Sequence, residues 1–216
     1  MTIQEVINQI SIWSILLPLT IGVLSFKKLN TDSKNILFLV LVDSIPQMAR
    51  AYLGRTPLLN YFYNIDIAIG FIIVAIFFRE NFKGKKNKIY FDILMYCGFI
   101  IGSVFVFFLG VKERFINEWV CVNCFIFTTW NLLLLLELYN DDEMITKVSP
   151  SIFTYLIGLF FYTSCTLVIF SLWHYLMNNR NSLLNNLWII HDAFNVFMYL
   201  LFSIGFIIDS RKLNFR

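Results

Sequence analysis

Charge is what this chain has least of. Asp, Glu, Lys and Arg make up only 14% of its 216 residues, whereas an average soluble domain is about a quarter charged. That scarcity argues against a soluble fold and a nucleic-acid-binding surface. Histidine occurs twice, too seldom for a site built on three imidazoles. With 4 prolines and 9 glycines, no linker, low-complexity tract or internal repeat separates domains. The leader MTIQE is acidic and no small-residue cleavage site follows, so the first apolar stretch is expected to stay in the mature protein.

Apolar residues are abundant instead, at 58%, with 18% aromatic. A hydrocarbon core about 30 Å thick is crossed by roughly 20 apolar helical residues. Seven such runs are expected, over 6–26, 35–53, 59–78, 90–110, 117–139, 151–176 and 186–208. None alternates as a barrel strand would, so each is a helix whose backbone groups pair within the segment. The fold expected is all-α, one seven-helix transmembrane bundle spanning 1–216. Ser149-Pro150 reads as a helix entry, with Ser as cap and Pro in the first turn.

Lysine and arginine set the orientation. With the N-terminus outside, the inner segments hold 12 of them: Lys27, Lys28, Lys34, Arg79, Lys83, Lys85, Lys86, Lys88, Lys147, Arg211, Lys212 and Arg216. The outer segments hold 5, namely Arg50, Arg55, Lys112, Arg114 and Arg180. The positive-inside rule then places the C-terminus in the cytoplasm. The basic face formed by Arg79, Lys83, Lys85, Lys86 and Lys88 is read as a topology signal and as a docking surface for a protein partner.

Polar residues within the spans fall on faces. In WIIHDAFNVFMYLLFS (188–203), Trp188, Asp192, Asn195, Tyr199 and Ser203 advance by three or four, one stripe on one side of a helix. Asp43, Gln47 and Arg50 repeat that spacing in the second span. Asn60, Tyr63, Asn64 and Asp66 crowd the outer half of the third. At 1.5 Å per residue, Asp192 lies ~9 Å, Asp66 ~10 Å and Asp43 ~15 Å below the outer surface. A carboxylate at such depth must be neutralised, hydrated or paired. The stripe is therefore expected to face protein and to meet the second and third helices. Arg50, the cation in a span on the outer side, is expected to pair with an aspartate. His174 and His191 complete the candidate polar network. Either a structural network or a ligand site accounts for it. IGFIIVAIFF, NLLLLL and FMYLLFSIGFII make the inner half apolar, which implies a pocket opening outward and counts against transport. C-V-N-C (121–124) places two thiols on one face, but its spacing alone does not make a zinc site.

Seven helices resemble a microbial rhodopsin, yet Asp192 is followed four residues on by Val196, and no span contains a lysine for retinal. LLPLTIGVLSFKKL, LLNYFYNIDIAIGF and LWIIHDAFNVFMYLLFSIGF together resemble a loose group of bacterial heptahelical inner-membrane proteins. That resemblance implies the seven-helix fold, a bacterial inner-membrane location and, for some members, a sensory or accessory role. The expected function is a non-enzymatic, receptor-like or accessory protein acting through a cytoplasmic or membrane partner, with no cofactor and no direct nucleic acid. Self-association is compatible with this. The alternatives are a membrane-embedded hydrolase using His191, Asp192 and Asp43, and a small-solute transporter or channel.

Overall fold

The computed structural model describes residues 3–53, 56–110, 114–141, 148–173 and 182–212. His174 and the basic residues Arg55, Lys112, Lys147, Arg180 and Arg216 lie outside these. Among the described residues every regular element is helical. The elements are α1 (Ile3–Ser14), α2 (Leu16–Ser25) with a 3₁₀ turn (Phe26–Lys28), α3 (Thr31–Leu53), α4 (Pro57–Asn81), α5 (Lys85–Leu109), α6 (Asn117–Asn140), α7 (Pro150–Ser171) and α8 (Ser182–Lys212).

Local chemistry explains the boundaries. Pro18 has no N–H for the Ser14 carbonyl, so the first rod breaks at Ile15 and resumes as Leu19 donates to the Ile15 carbonyl at 3.2 Å. Asn30 caps α3 by accepting the Ser33 N–H at 2.7 Å. Gly110 ends α5 at φ 71°, a left-handed conformation that suits glycine at a helix C-terminus. Pro150 does open α7, but the Ser149 hydroxyl meets Ser151 Oγ at 2.8 Å and caps no backbone N–H.

Among the described residues six segments are long and apolar enough to cross a bilayer: Gln4–Lys28, which joins α1 and α2, then α4, α5, α6, α7 and Asn186–Arg211 of α8. The chain is therefore a multi-pass membrane protein. The remaining helix, α3, is as long but carries Asp32, Lys34, Asp43, Gln47 and Arg50, which lower its hydropathy.

Side-chain pairings give the directions. Asn81 meets Asp32 and Asp66 meets Asp43, so α4 runs antiparallel to α3. Cys121 with Ser171, and Thr128 with Thr163, set α7 antiparallel to α6. Tyr155 packs on Phe206 and Phe161 on Phe194, so α8 reverses again. The core between these rods is aromatic. Trp130, 0% exposed, is ringed by Phe71, Phe78, Phe91 and Phe127.

At the end carrying Lys83 to Lys88, Glu137 of α6 accepts the backbone N–H groups of Lys83 (2.7 Å) and Gly84 (2.6 Å) and the Asn87 amide (2.6 Å). This carboxylate fixes the basic turn against the bundle. Arg79, Lys83, Lys85, Lys86 and Lys88 stay exposed around it.

Candidate functional site

The α8 stripe faces protein along its described length. Asp192 is 3% exposed, Asn195 4%, Tyr199 2% and Ser203 3%. Its hydrogen-bonding partner is α1, whereas sequence spacing pointed to the second and third spans. The Asn8 amide donates to Asp192 Oδ2 at 3.2 Å, and the Asn195 amide donates to Ser11 Oγ at 3.0 Å. A three-residue step on one helix matches a three-residue step on the other in the same sense, so α1 and α8 run parallel. Asn8 and Ser11 stand at i, i+3 near the start of α1, a spacing that already puts two polar side chains on one helix face.

A second group lies deeper and joins α3 to α4. The Asp43 and Asp66 carboxyls lie close enough to act on each other. Tyr162 of α7 and Tyr199 of α8 lie within electrostatic reach of both. The Arg50 guanidinium lies near the Tyr63 hydroxyl, and Tyr63 is also near Asp66 and Asp192. Among the described residues no aspartate comes within ion-pair distance of Arg50, against the pairing expected from sequence. Arg50 lies two turns from Asp43 along α3, with Tyr63 beside it. Asp43, Tyr63, Asp66 and Tyr162 are half-buried rather than sealed.

His191 occupies an aromatic box beside this group. Its ring stacks on Trp188, with centroids 5.0 Å apart and planes 18° apart, and lies near Tyr162 and Phe170. Nδ1 is 3.8 Å from Asp192 Oδ1, beyond hydrogen-bond length. The hydrolytic trio therefore does not form a chain: His191 is not bonded to Asp192, and Asp43 is engaged with Asp66.

Three buried polar atoms here have no hydrogen-bond partner: Gln47 Oε1, Asp66 Oδ1 and His191 Nδ1. Unpaired buried groups each cost about 1–3 kcal/mol, and they offer a ligand ready acceptors. Asn64 is committed elsewhere. It is 1% exposed, donates to the Arg114 carbonyl at 2.8 Å and accepts the Ile116 N–H at 3.1 Å, so it staples the entry to α6. Cys121 and Cys124 are separate free thiols, and Cys121 meets the Ser171 hydroxyl at 3.3 Å. No group of three or more His, Cys, Asp or Glu side chains able to hold a metal ion occurs among the described residues.

The basic end of the bundle is more polar than its apolar sequence runs imply. Asp209, 6% exposed, accepts the Asn30 backbone N–H at 2.6 Å and its amide at 2.9 Å. Ser33 and Tyr155 share a hydrogen bond of 2.7 Å, and Asn81 donates to Asp32 at 2.7 Å.

The Asn8–Asp192 pair makes a signed prediction. Asn8→Leu leaves a buried carboxylate without its donor and costs about 3 kcal/mol. Asp192→Leu leaves only a neutral amide and costs about 1–2 kcal/mol. The double variant is expected to be more stable than Asn8→Leu alone. Reversible unfolding in mixed detergent measures all three, and simple additivity would exclude the pairing.

Comparison of the chain with family models, with curated proteins and with solved structures finds no match.

Proposed function

We propose that this chain is a seven-helix protein of a bacterial inner membrane, with its N-terminus outside and its C-terminus in the cytoplasm. In this reading it acts as a receptor-like or accessory subunit. A small ligand enters from the outer side and engages the crevice between α3, α4, α7 and α8. A cytoplasmic partner reads the resulting helix shift at the basic turn held by Glu137. The parallel run of α1 and α8 supports an odd number of crossings, in which α3 is the polar seventh span.

One observation carries the ligand-binding reading. The partnerless polar atoms Gln47 Oε1, Asp66 Oδ1 and His191 Nδ1 accompany the adjacent Asp43 and Asp66 carboxyls. A purely structural network would be expected to satisfy its buried members.

Cysteine labelling tests orientation and access together. In a background with Cys97, Cys121, Cys124 and Cys165 replaced, Gln47→Cys is expected to react with a membrane-impermeant maleimide applied outside intact cells. Lys86→Cys is expected to react only in inverted vesicles. Labelling of Gln47→Cys solely from the cytoplasmic side would overturn the outward-opening site.

A further inference from the structure

The helices α4 and α5 do not close on each other along their whole length. Between them lies a cavity of about 380 Å³, walled by Phe71 and Ile72 of α4 and by Phe99, Ser103 and Phe107 of α5, with Trp119 of α6 completing it. Both α4 and α5 are membrane-spanning segments, and Ile72, Phe99 and Phe107 are exposed, so the cavity is a groove in the surface that faces lipid. It follows α5 from Gly98 to Phe107, a rise of ~13 Å. Its volume lies within the range of small-molecule sites.

Trp119 brings an unmet hydrogen-bond donor to this groove. It is the third residue of α6, at the level where tryptophans of membrane proteins usually send the indole N–H out to headgroups and water. Here the side chain turns inward. It is 7% exposed, and its Nε1 has no hydrogen-bond partner. Two glycines of α5 make room for it: a Cβ on Gly98 would run into Phe71 and Ile126, and one on Gly102 into the Nε1, Cε2 and Cζ2 edge of the indole. The donor edge therefore lies at Gly102, which lines the same groove. Leaving a buried donor unpaired is costly, and an occupant of the groove that carries an acceptor removes that cost.

A groove within the bilayer can be filled by protein or by lipid. A neighbouring transmembrane helix, a second copy included, fills apolar space but keeps its backbone carbonyls for its own helical bonds. An acyl chain fills the same space and carries an ester carbonyl at the boundary between hydrocarbon and headgroups, the level of Trp119. We propose that this groove binds one glycerolipid, with an acyl chain laid along α5 and its ester carbonyl accepting the Trp119 Nε1–H. The assignment rests neither on the ligand site proposed above nor on which end of the bundle faces the cytoplasm.

Native mass spectrometry of the full chain, loaded with phosphatidylglycerol in an uncharged maltoside detergent, tests it. One diacyl lipid per chain is expected to survive detergent removal, in preference to the dialkyl ether with the same headgroup. Trp119→Phe keeps a ring and removes the donor; it is expected to weaken retention of the diacyl lipid roughly fivefold, the scale of one neutral hydrogen bond, and to erase the preference for the ester. Ser103→Phe is expected to fill the groove and abolish retention of both lipids, whereas Ile100→Phe, exposed on α5 outside the groove, should leave it unchanged. The proposal is overturned if wild type retains no lipid or retains ester and ether equally, if Trp119→Phe keeps the preference, or if Ser103→Phe retains lipid like wild type. A dimer that Ser103→Phe dissociates would also overturn it, giving the groove to a second copy. Ser103 is exposed on its helix, so that variant decides the matter even where Trp119→Phe fails to fold.

Discussion

Gly205→Leu is expected to abolish the folded monomer, whereas Gly158→Ala is expected to retain it. Both glycines lie where α7 and α8 pack closely, a common use of small residues between membrane helices. They differ in what a side chain would meet. At Gly205 a Cβ would run into the ring of Tyr155 and into Thr154 Oγ1. Tyr155 cannot step aside: it is fully buried, bonded to Ser33 Oγ at 2.7 Å and packed edge-on against Phe77 and Phe202. Moving it breaks the polar contact between α7 and α3 as well as the aromatic packing. Overpacking alone costs about 1–3 kcal/mol, and the orphaned Ser33 and Tyr155 hydroxyls add roughly another 1–3 kcal/mol. At Gly158 the nearest atoms would lie 3.3–3.5 Å from a Cβ, close to ordinary contact, and alanine favours the helix. Size-exclusion profiles and detergent unfolding of the two variants measure the contrast. A stable Gly205→Leu protein would show that this helix pair is not as tightly packed as described.

Trp130→Ala is expected to cost about 3–5 kcal/mol, while Trp130→Phe costs far less. The indole lies within 4.6–5.8 Å, centroid to centroid, of four phenylalanine rings from α4, α5 and α6. Within a bilayer the transfer of apolar atoms away from water contributes little to helix association. The penalty therefore comes from the cavity and from lost dispersion contacts. Phenylalanine keeps most of these contacts. It also removes Trp130 Nε1–H, a buried donor with no partner, which offsets part of the lost volume. Equal destabilisation by the two variants would mean that ring packing is not the source of the stability.

The membrane class and the helix positions were legible in the sequence because hydrocarbon thickness imposes a length and an apolarity on every crossing. The side on which Asp192, Asn195, Tyr199 and Ser203 lie was legible too, since a period of three or four residues assigns one face to a helix. Such a stripe excludes lipid on that face without naming the neighbour. Only the tertiary structure decided that α1 supplies Asn8 and Ser11 to the stripe, that Arg50 lies beside Tyr63 and outside ion-pair distance of a described aspartate, and that Asp43 comes close to Asp66. Helix partners are set by ridge-and-groove packing and by where glycines let two backbones approach, terms shared between segments distant in the chain. The same holds at the basic end. Asn30, Asp32, Asn81 and Asp209 stand near helix ends far apart in the sequence, and they become one part-buried polar cluster because three helix ends converge there.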